Sequence, residues 1–528
     1  MSSLLGLAAA ALSSPLALAA QDWPHWRGPN FDDSTSGGGV FDKPFELRVR
    51  WRAEVGSGYA GIAVLGKTAV TLGARDGSDE VVALDVASGA VRWRQRLGPA
   101  FAGQDGAEDG PCATPTLHGD EVYAFAPRGE LVALTLAEGK VRWKVDLVAR
   151  HGAKMPHWGF TSAPLVSGEL VIVAAGGEGA TLVGLERATG ATRWAVGNDA
   201  VHYPSPILAR IGGEELVVFG GNSFLFGIDP ASGAVRWRVA HGASEFFQQI
   251  LQPLVLGEGD FLLENKRLSA ARMVLAGSGP GAELETLWNS RHLSSNYNTT
   301  VAHDGLLFGH DGELLVCLDA ESGELLWRSR PPGDGWVVGV DGWLVLLSKA
   351  GSLHCAPAVA EGYEERASLK LFERLCWTPP SFAHGAVFAR DSSGAATCVE
   401  IAPARERPTP AAAARRAPPA LFAALEREVA AADDPADVVD EFLAAQGSFP
   451  IVEGERTAHF VWRGEAQDVE LVGDVLGDTE KHALERVPGT DLFWASFELE
   501  PDARVGYQFV KDLQQTLVDP RNERRSFS

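Results

Sequence analysis

The stretch Ala83-Leu-Asp-Val-Ala-Ser-Gly-Ala-Val-Arg-Trp93 decides the architecture, because four further segments repeat it. They are Ala133-Leu-Thr-Leu-Ala-Glu-Gly-Lys-Val-Arg-Trp143, Gly184-Leu-Glu-Arg-Ala-Thr-Gly-Ala-Thr-Arg-Trp194, Gly227-Ile-Asp-Pro-Ala-Ser-Gly-Ala-Val-Arg-Trp237 and Cys317-Leu-Asp-Ala-Glu-Ser-Gly-Glu-Leu-Leu-Trp327. Each reads as a strand, a tight turn and a second strand ending in Trp. The Gly supplies the positive φ of a hairpin turn, and the Asp and Ser side chains can bond the turn backbone. A hairpin recurring at this period marks a radial array of β-sheets.

The tryptophans act as a ruler. Weaker copies of the closing strand end at Trp51, Trp288 and Trp377, and the steps from Trp51 onward are 42, 50, 51, 43, 51, 39 and 50 residues. Such steps suit propeller blades of four strands each. Seven intervals and a tail to about Ile401 make eight units. The tail has room for strands near Ser381, at 386–389 and at 396–400. Its missing outer strand is expected from residues 46–51, which would close the ring and remove an open sheet edge. One Trp per blade, at Trp51, Trp93, Trp143, Trp194, Trp237, Trp288, Trp327 and Trp377, is read as packing between blades rather than as chemistry.

Composition agrees. Gly (59) and Pro (30) are plentiful among 528 residues, as a turn-rich β protein requires. The net charge of −23 disfavours nucleic acid and anionic membrane surfaces as partners. Residues 4–20, apolar and Ala-rich with Ala17-Leu-Ala19 at the end, read as a signal-peptide core (1–20) with a mature start near Gln21. Export to a periplasmic or extracellular location is therefore expected. No Cys follows the cleavage site, so no lipid anchor is expected, and no other stretch suits a membrane span. The five cysteines, Cys112, Cys317, Cys355, Cys376 and Cys398, are scattered, and no metal site is expected from them. A Cys376–Cys398 bridge is considered because both lie near the last blade.

The chain changes character after the propeller segment, 21–402. Residues 403–419 are a Pro/Ala/Arg linker by composition, and 421–431 and 435–445 read as short helices within a linker region, 403–448. Strands resume at 458–463, 468–472, 492–497 and 505–510. Residues 449–528 thus suit a small β-sandwich. The fold class is all-β: an eight-bladed propeller, a short helical linker region and a sandwich.

With Trp23-Pro-His-Trp-Arg-Gly-Pro-Asn30 and the Leu-Asp-x-x-Ser-Gly-x-x-x-Trp copies, residues 23–401 resemble the PQQ-like β-propeller proteins, also described as pyrroloquinoline-quinone repeat or outer-membrane assembly factor-like. The resemblance implies the fold. Its members include quinoprotein dehydrogenases, a propeller lipoprotein of the outer-membrane barrel-assembly machinery, and exported proteins without known activity. Family dehydrogenases use adjacent cysteines, a calcium site of acidic and amide ligands, and a catalytic Asp. This sequence holds no Cys-Cys pair and no haem motif C-x-x-C-H. The acids Asp109, Asp199 and Asp304 could approach the central opening but are read as turn or rim residues. No cofactor is expected, with PQQ as the alternative, and no catalytic residue is assigned.

Residues 449–523 resemble the N-terminal, early-set (immunoglobulin-like) domain of enterochelin-esterase-like hydrolases, which is related to glycogen-binding modules. The match rests on Phe449-Pro450, Phe460-Val-Trp-Arg-Gly464, Val472-Gly-Asp474, Arg486-Val-Pro-Gly-Thr-Asp-Leu-Phe-Trp494, Asp502-Ala-Arg-Val505, Tyr507-Gln-Phe509 and Asp519-Pro-Arg-Asn522. No Gly-x-Ser-x-Gly elbow occurs, so esterase chemistry does not carry over.

Ligand candidates lie before the innermost strands, where a propeller places its channel-mouth loops. Trp158, His202, Tyr203, Asn296, Tyr297 and Trp336 would converge on one funnel, with Tyr59 and Trp377 in corresponding places. The alternative is a channel plugged by bulky packing residues. Trp462 and Trp494 are the glycan candidates of the sandwich, with a core role as their alternative. The sequence therefore reads as a monomeric, exported, non-catalytic binding or scaffold protein for an envelope protein, peptide or glycan. The alternatives are a quinoprotein-type oxidoreductase and a carbohydrate-active accessory protein.

Overall fold

The computed structural model describes residues 21–241, 252–265, 269–294, 298–404, 419–432, 434–454, 456–464, 466, 469–473, 481–499, 506–511, 515–517, 519 and 521–522. Residues 1–20, Asn296, Tyr297 and most of the 403–419 linker, singled out above, lie outside them. The chain divides into two compact units, Met1–Arg405 and Glu406–Ser528.

The first unit is an eight-bladed propeller. Blades 1 to 7 span residues 63–99, 116–146, 165–196, 207–240, 254–290, 301–329 and 335–370. Blade 8 joins 381–403 to the N-terminal strand Phe45–Glu54, which pairs antiparallel with Ala395–Pro403 and sets Leu47 opposite Ile401 and Trp51 opposite Cys398. Residues 46–51 thus close the ring as expected. The middle strands face neighbouring blades on both sides, so they are continuous apolar runs: Val81–Leu84 and Val171–Ala175 are buried throughout. Arg390 of blade 8, wholly buried, donates to the carbonyls of Gly56 (2.6 Å) and Leu72 (2.6 Å) beside blade 1. It ties the last blade to the first with hydrogen bonds rather than an ion pair.

Each blade Trp docks on the next blade. The indole N–H of Trp51, Trp93, Trp143, Trp194, Trp288 and Trp327 donates to Val86, Leu136, Arg187, Pro230, Ala320 and Val359 carbonyls at 2.7–3.1 Å. Beneath the rings lie the turn glycines. A Cβ on Gly89, Gly139, Gly190, Gly233 or Gly323 would sit 2.4–2.7 Å from the preceding blade's indole. The Gly of the repeat therefore serves twice, for positive φ and for ring contact. Trp237 faces blade 5, whose turn Gly277-Ser-Gly-Pro-Gly281 departs from the repeat, and its Nε1 finds no acceptor. Trp377 corrects the ruler. The outer strand of blade 7 is Ala367–Lys370, and Trp377 lies in the loop after it, under the Lys349 ammonium at 4.0 Å.

Residues 22–39 cross the axis on the side of the inner hairpins. Trp23 bridges Val64 of blade 1, and Pro24 accepts from Leu117 of blade 2. Phe31 packs against blades 3 and 4, and Ser34–Thr35 pairs in parallel with the inner strand of blade 7. The Trp23–Asn30 segment is thus an axial plug made by the chain itself.

The second unit has three layers. Helices Ala420–Ala431 and Pro435–Ala444 pack through Phe422, Leu425, Val439 and Leu443 on one face of a sheet containing Thr457–Arg463 and Leu492–Glu498. The other face meets a second sheet through Phe460, Trp462, Leu471 and Phe509. Thr457–Arg463 is covered on both faces, which explains its unbroken run His459-Phe-Val-Trp462. The helices read as linker are a layer of this unit. All five cysteines are free, so the Cys376–Cys398 bridge is not formed; burial makes both thiols packing groups, with Cys398 pushed up to about 12.

Candidate functional site

The loops that lead from each outer strand to the next inner strand gather on one face. Three of the expected residues, Trp158, His202 and Tyr203, sit there at the entries to adjacent blades. The segment Trp158–Ala163 enters blade 3 and the segment His202–Ser205 enters blade 4. They run side by side, with Thr161 Oγ1 at 3.5 Å from the Tyr203 carbonyl and Ala163 N donating to Ser205 Oγ at 2.9 Å. Trp158 and Tyr203 are both half-buried, so both are partly open to solvent. His202 Nε2 lies 2.8 Å from Asn222 Oδ1, which orients its ring, and the ring stands 6.1 Å from Tyr203. His157 stands edge-on to Trp158 at 5.5 Å and contacts Asp105 at 3.2 Å.

Other candidates behave differently. Trp336 is only 3 % exposed because it belongs to the inner strand Gly335–Val340 rather than to a loop. So buried, it offers no stacking face. Asn296 and Tyr297 lie outside the described residues. Trp377, counted with the blade tryptophans, lies in the loop between blades 7 and 8, under the Lys349 ammonium. Trp462 and Trp494 are 7 % and 4 % exposed. Trp494 stacks under Phe422 at 4.5 Å and Trp462 packs between the sheets, so neither ring is offered to a glycan.

Near the axis, charged groups close on each other. Arg27 and Asp33 of the plug pair at 2.6 Å, each 1 % exposed, and Arg27 donates onward to the Thr300 carbonyl. Glu264 accepts from Thr300 Oγ1 at 2.8 Å, and burial pushes its carboxyl up to about 7. Lys349 holds Asp334 at 2.5 Å, and Asn298 donates to the same carboxylate at 2.7 Å. His310 is buried beside Asp334 and Lys349, and burial lowers it to about 4. The spacing of the repeats could not reveal this polar core, because its members occupy unrelated positions in blades 5, 6, 7 and the plug. A small crevice, with room for little more than a water molecule, lies between the plug (Trp23, Trp26, Arg27, Asp33) and the starts of blades 1, 2 and 8 (Gly61, Thr114, Ser381).

PQQ, a planar poly-acid, needs cations free to bind it. Arg27 is held by Asp33, Lys349 by Asp334, and Arg390 by backbone carbonyls. Among the described residues, these three cations are therefore not free for that group. Asp109 and Asp199 accept from Gly103 and from Ser223 and Phe224, and Asp304 is exposed in a turn, so these acids serve the rim. Among the described residues no cluster of His, Cys, Asp and Glu could hold a metal ion. No helix among them is long and apolar enough to cross a membrane.

The fold and its docked tryptophans define a PQQ-like repeat propeller. A family model described as outer membrane protein assembly factor BamB matches residues 48–143, 78–328 and 281–402, and the chain belongs to that family. A second model, enterochelin esterase N-terminal, matches residues 457–527, the sandwich of the second unit. No curated protein matches the chain significantly. BamB from Moraxella catarrhalis is 17 % identical, covers 67 % of this chain and 97 % of its own, and superposes with a TM-score of 0.50. A europium-containing methanol dehydrogenase gives 13 % identity, 70 % and 89 % coverage, and 0.51. Quinohemoprotein alcohol dehydrogenase from Comamonas testosteroni gives 14 %, 72 % and 80 %, and 0.50. At such identities these structures attest the propeller and nothing finer.

Proposed function

We propose that this chain is an exported, non-catalytic scaffold that binds an envelope protein on the loop face of its propeller. One observation carries the reading. Arg27 and Lys349 near the axis are already engaged within the protein, whereas Trp158 and Tyr203 on the loop face are partly exposed. The family description, an outer membrane protein assembly factor, supports a protein partner over a small substrate. The apolar leader, 1–20, supports export. In this reading Trp158 and Tyr203 are the contact rings, with His202 as polar contact and Asn296 and Tyr297 as further candidates. Loop positions on a rigid propeller suit recognition, since the strands fix them at no ordering cost.

A photo-crosslinking amino acid at position 158 or 203, in the cell that makes the protein, tests this. It should give discrete protein adducts, and the same group at Lys67, on the inner-hairpin side, should not. Equal adducts at all three positions, or none, would refute the reading. Adding PQQ and calcium to the purified protein should give no alcohol oxidation; turnover would instead establish the oxidoreductase alternative.

A further inference from the structure

We propose that the loop face around blades 2 and 3 receives an acidic polypeptide segment carrying apolar side chains. The proposal rests on the scaffold reading and names the partner's chemistry. In a chain of net charge −23, the run Leu147-Val-Ala-Arg-His-Gly-Ala-Lys-Met-Pro-His-Trp158 holds Arg150, His151, Lys154 and His157 and no acid. It forms the short helix Leu147–His151 and the loop that follows it, and the loop leads into blade 3.

Its apolar members face water. Met155 is 49 % exposed and Val148 39 %, beside the half-buried Trp158. Large apolar side chains gathered with cations on an otherwise acidic protein mark a contact surface. The surface extends onto blade 2. Leu147 N donates to the Gly129 carbonyl at 2.9 Å, and a Cβ on Gly129 would lie 2.7 Å from Val148 Cγ2. Arg128, the neighbour of Gly129, is exposed and lies over the Phe101 ring at 5.7 Å.

Three of the acids at the margin are engaged, while Glu108 and Glu178 are exposed at its edges. Asp146 caps the helix by accepting from Ala149 N at 2.9 Å. Asp109 accepts from Gly103 N at 2.8 Å, and Asp105 meets His157 at 3.2 Å. Lys154 is exposed and has no ion-pair partner among the described residues. Arg128 and Lys154 would therefore meet the partner's carboxylates, while Met155, Val148 and Trp158 take its apolar side chains. Charge complementarity at Arg128, Arg150 and Lys154, all exposed, favours an acidic segment over a basic one, which these cations would repel.

The test uses the full chain and two fluorescein-labelled peptides, one alternating Glu with Phe and Leu, the other with Lys in place of Glu. Fluorescence anisotropy should show saturable binding of the acidic peptide that weakens with added salt, and none of the basic one. Lys154→Glu and Met155→Ala should each weaken binding about tenfold, the first losing most of its salt dependence as well. Both positions are exposed, and unchanged thermal melting of the variants excludes unfolding as the cause. Equal binding of both peptides, or unaltered binding by both variants, would overturn the proposal. Adducts from position 203 without peptide binding would sink this surface and leave the scaffold reading standing; absence of adducts from 158 and 203 would remove both.

Discussion

The indole–glycine contact between blades ties one residue type to the stability of the whole ring. Gly139 has φ +68°, and a Cβ there would lie 2.4 Å from Trp93 Cε3. Gly119 has φ +59° but nothing within 4 Å of that Cβ. Gly119→Ala therefore carries only left-handed strain, about 1 kcal/mol. Gly139→Ala adds the displacement of Trp93 from its acceptor, a further 1–3 kcal/mol or so. Chemical denaturation of the two variants checks this, and equal losses would refute docking as a source of stability. Glu264 gives a second prediction, with the opposite dependence on acid from the usual carboxylate. Burial raises its folded value from 4.5 to about 7, so the folded state keeps the proton after the unfolded chain has released it. Its contribution is complete below 4.5 and is lost as pH rises through 7. His25 and His310, lowered from 6.5 to about 4 by burial, act the other way and cost stability as pH falls through that window. Glu264→Gln can still accept from Thr300. Its stability relative to wild type should rise by up to about 3 kcal/mol between about pH 5 and about pH 8. A pH-independent difference in denaturation would refute the assignment.

At the scale of elements, the N-terminal stretch has two structural tasks. Phe45–Glu54 supplies the outer strand of blade 8, and residues 22–35 reach blades 1, 2, 3, 4 and 7 across the axis. Deleting residues 21–51 should expose the edge of Ala395–Pro403 and strip Trp51 from its place over Gly89. Loss of cooperative melting, or dimerisation through the freed edge, is expected in calorimetry and light scattering. A deletion variant that melts like wild type would show both tasks to be dispensable. Residues 46–51 were legible as the closing strand because a count of eight left one strand unassigned. Trp377 misled because the step from Trp327 matches the period although the strand ends at Lys370. Trp336 misled for a related reason: inner strand and preceding loop are contiguous, and sequence does not mark where the loop stops. The plug was visible as a motif, Trp23 to Asn30, but its path was not, since its contacts with the blades are long-range and carry no periodicity. Likewise the apolar faces of Ala420–Ala431 and Pro435–Ala444 indicated helices, while the sheet they cover is fixed only by packing.

At the scale of the molecule, each unit encloses its own core. The propeller clusters pair neighbouring blades around the ring, and the second unit has separate clusters on the two faces of one sheet. Phe422, Trp494 and Val461 lie between helices and sheet; Phe460, Trp462 and Phe509 lie between sheets. Both clusters are built from described residues of this unit. Residues 419–528 are therefore expected to fold alone, with the helices as a required layer. A fragment beginning at residue 449 would lack Phe422 and leave the Trp494 ring exposed. Removing such a buried aromatic contact costs on the order of 3–5 kcal/mol, a large part of the stability of so small a domain. The longer fragment should show a cooperative thermal transition and dispersed amide resonances, and the shorter one should lose both. If the two fragments melt alike, the helices are an accessory to the sandwich and the three-layer account of this unit is wrong.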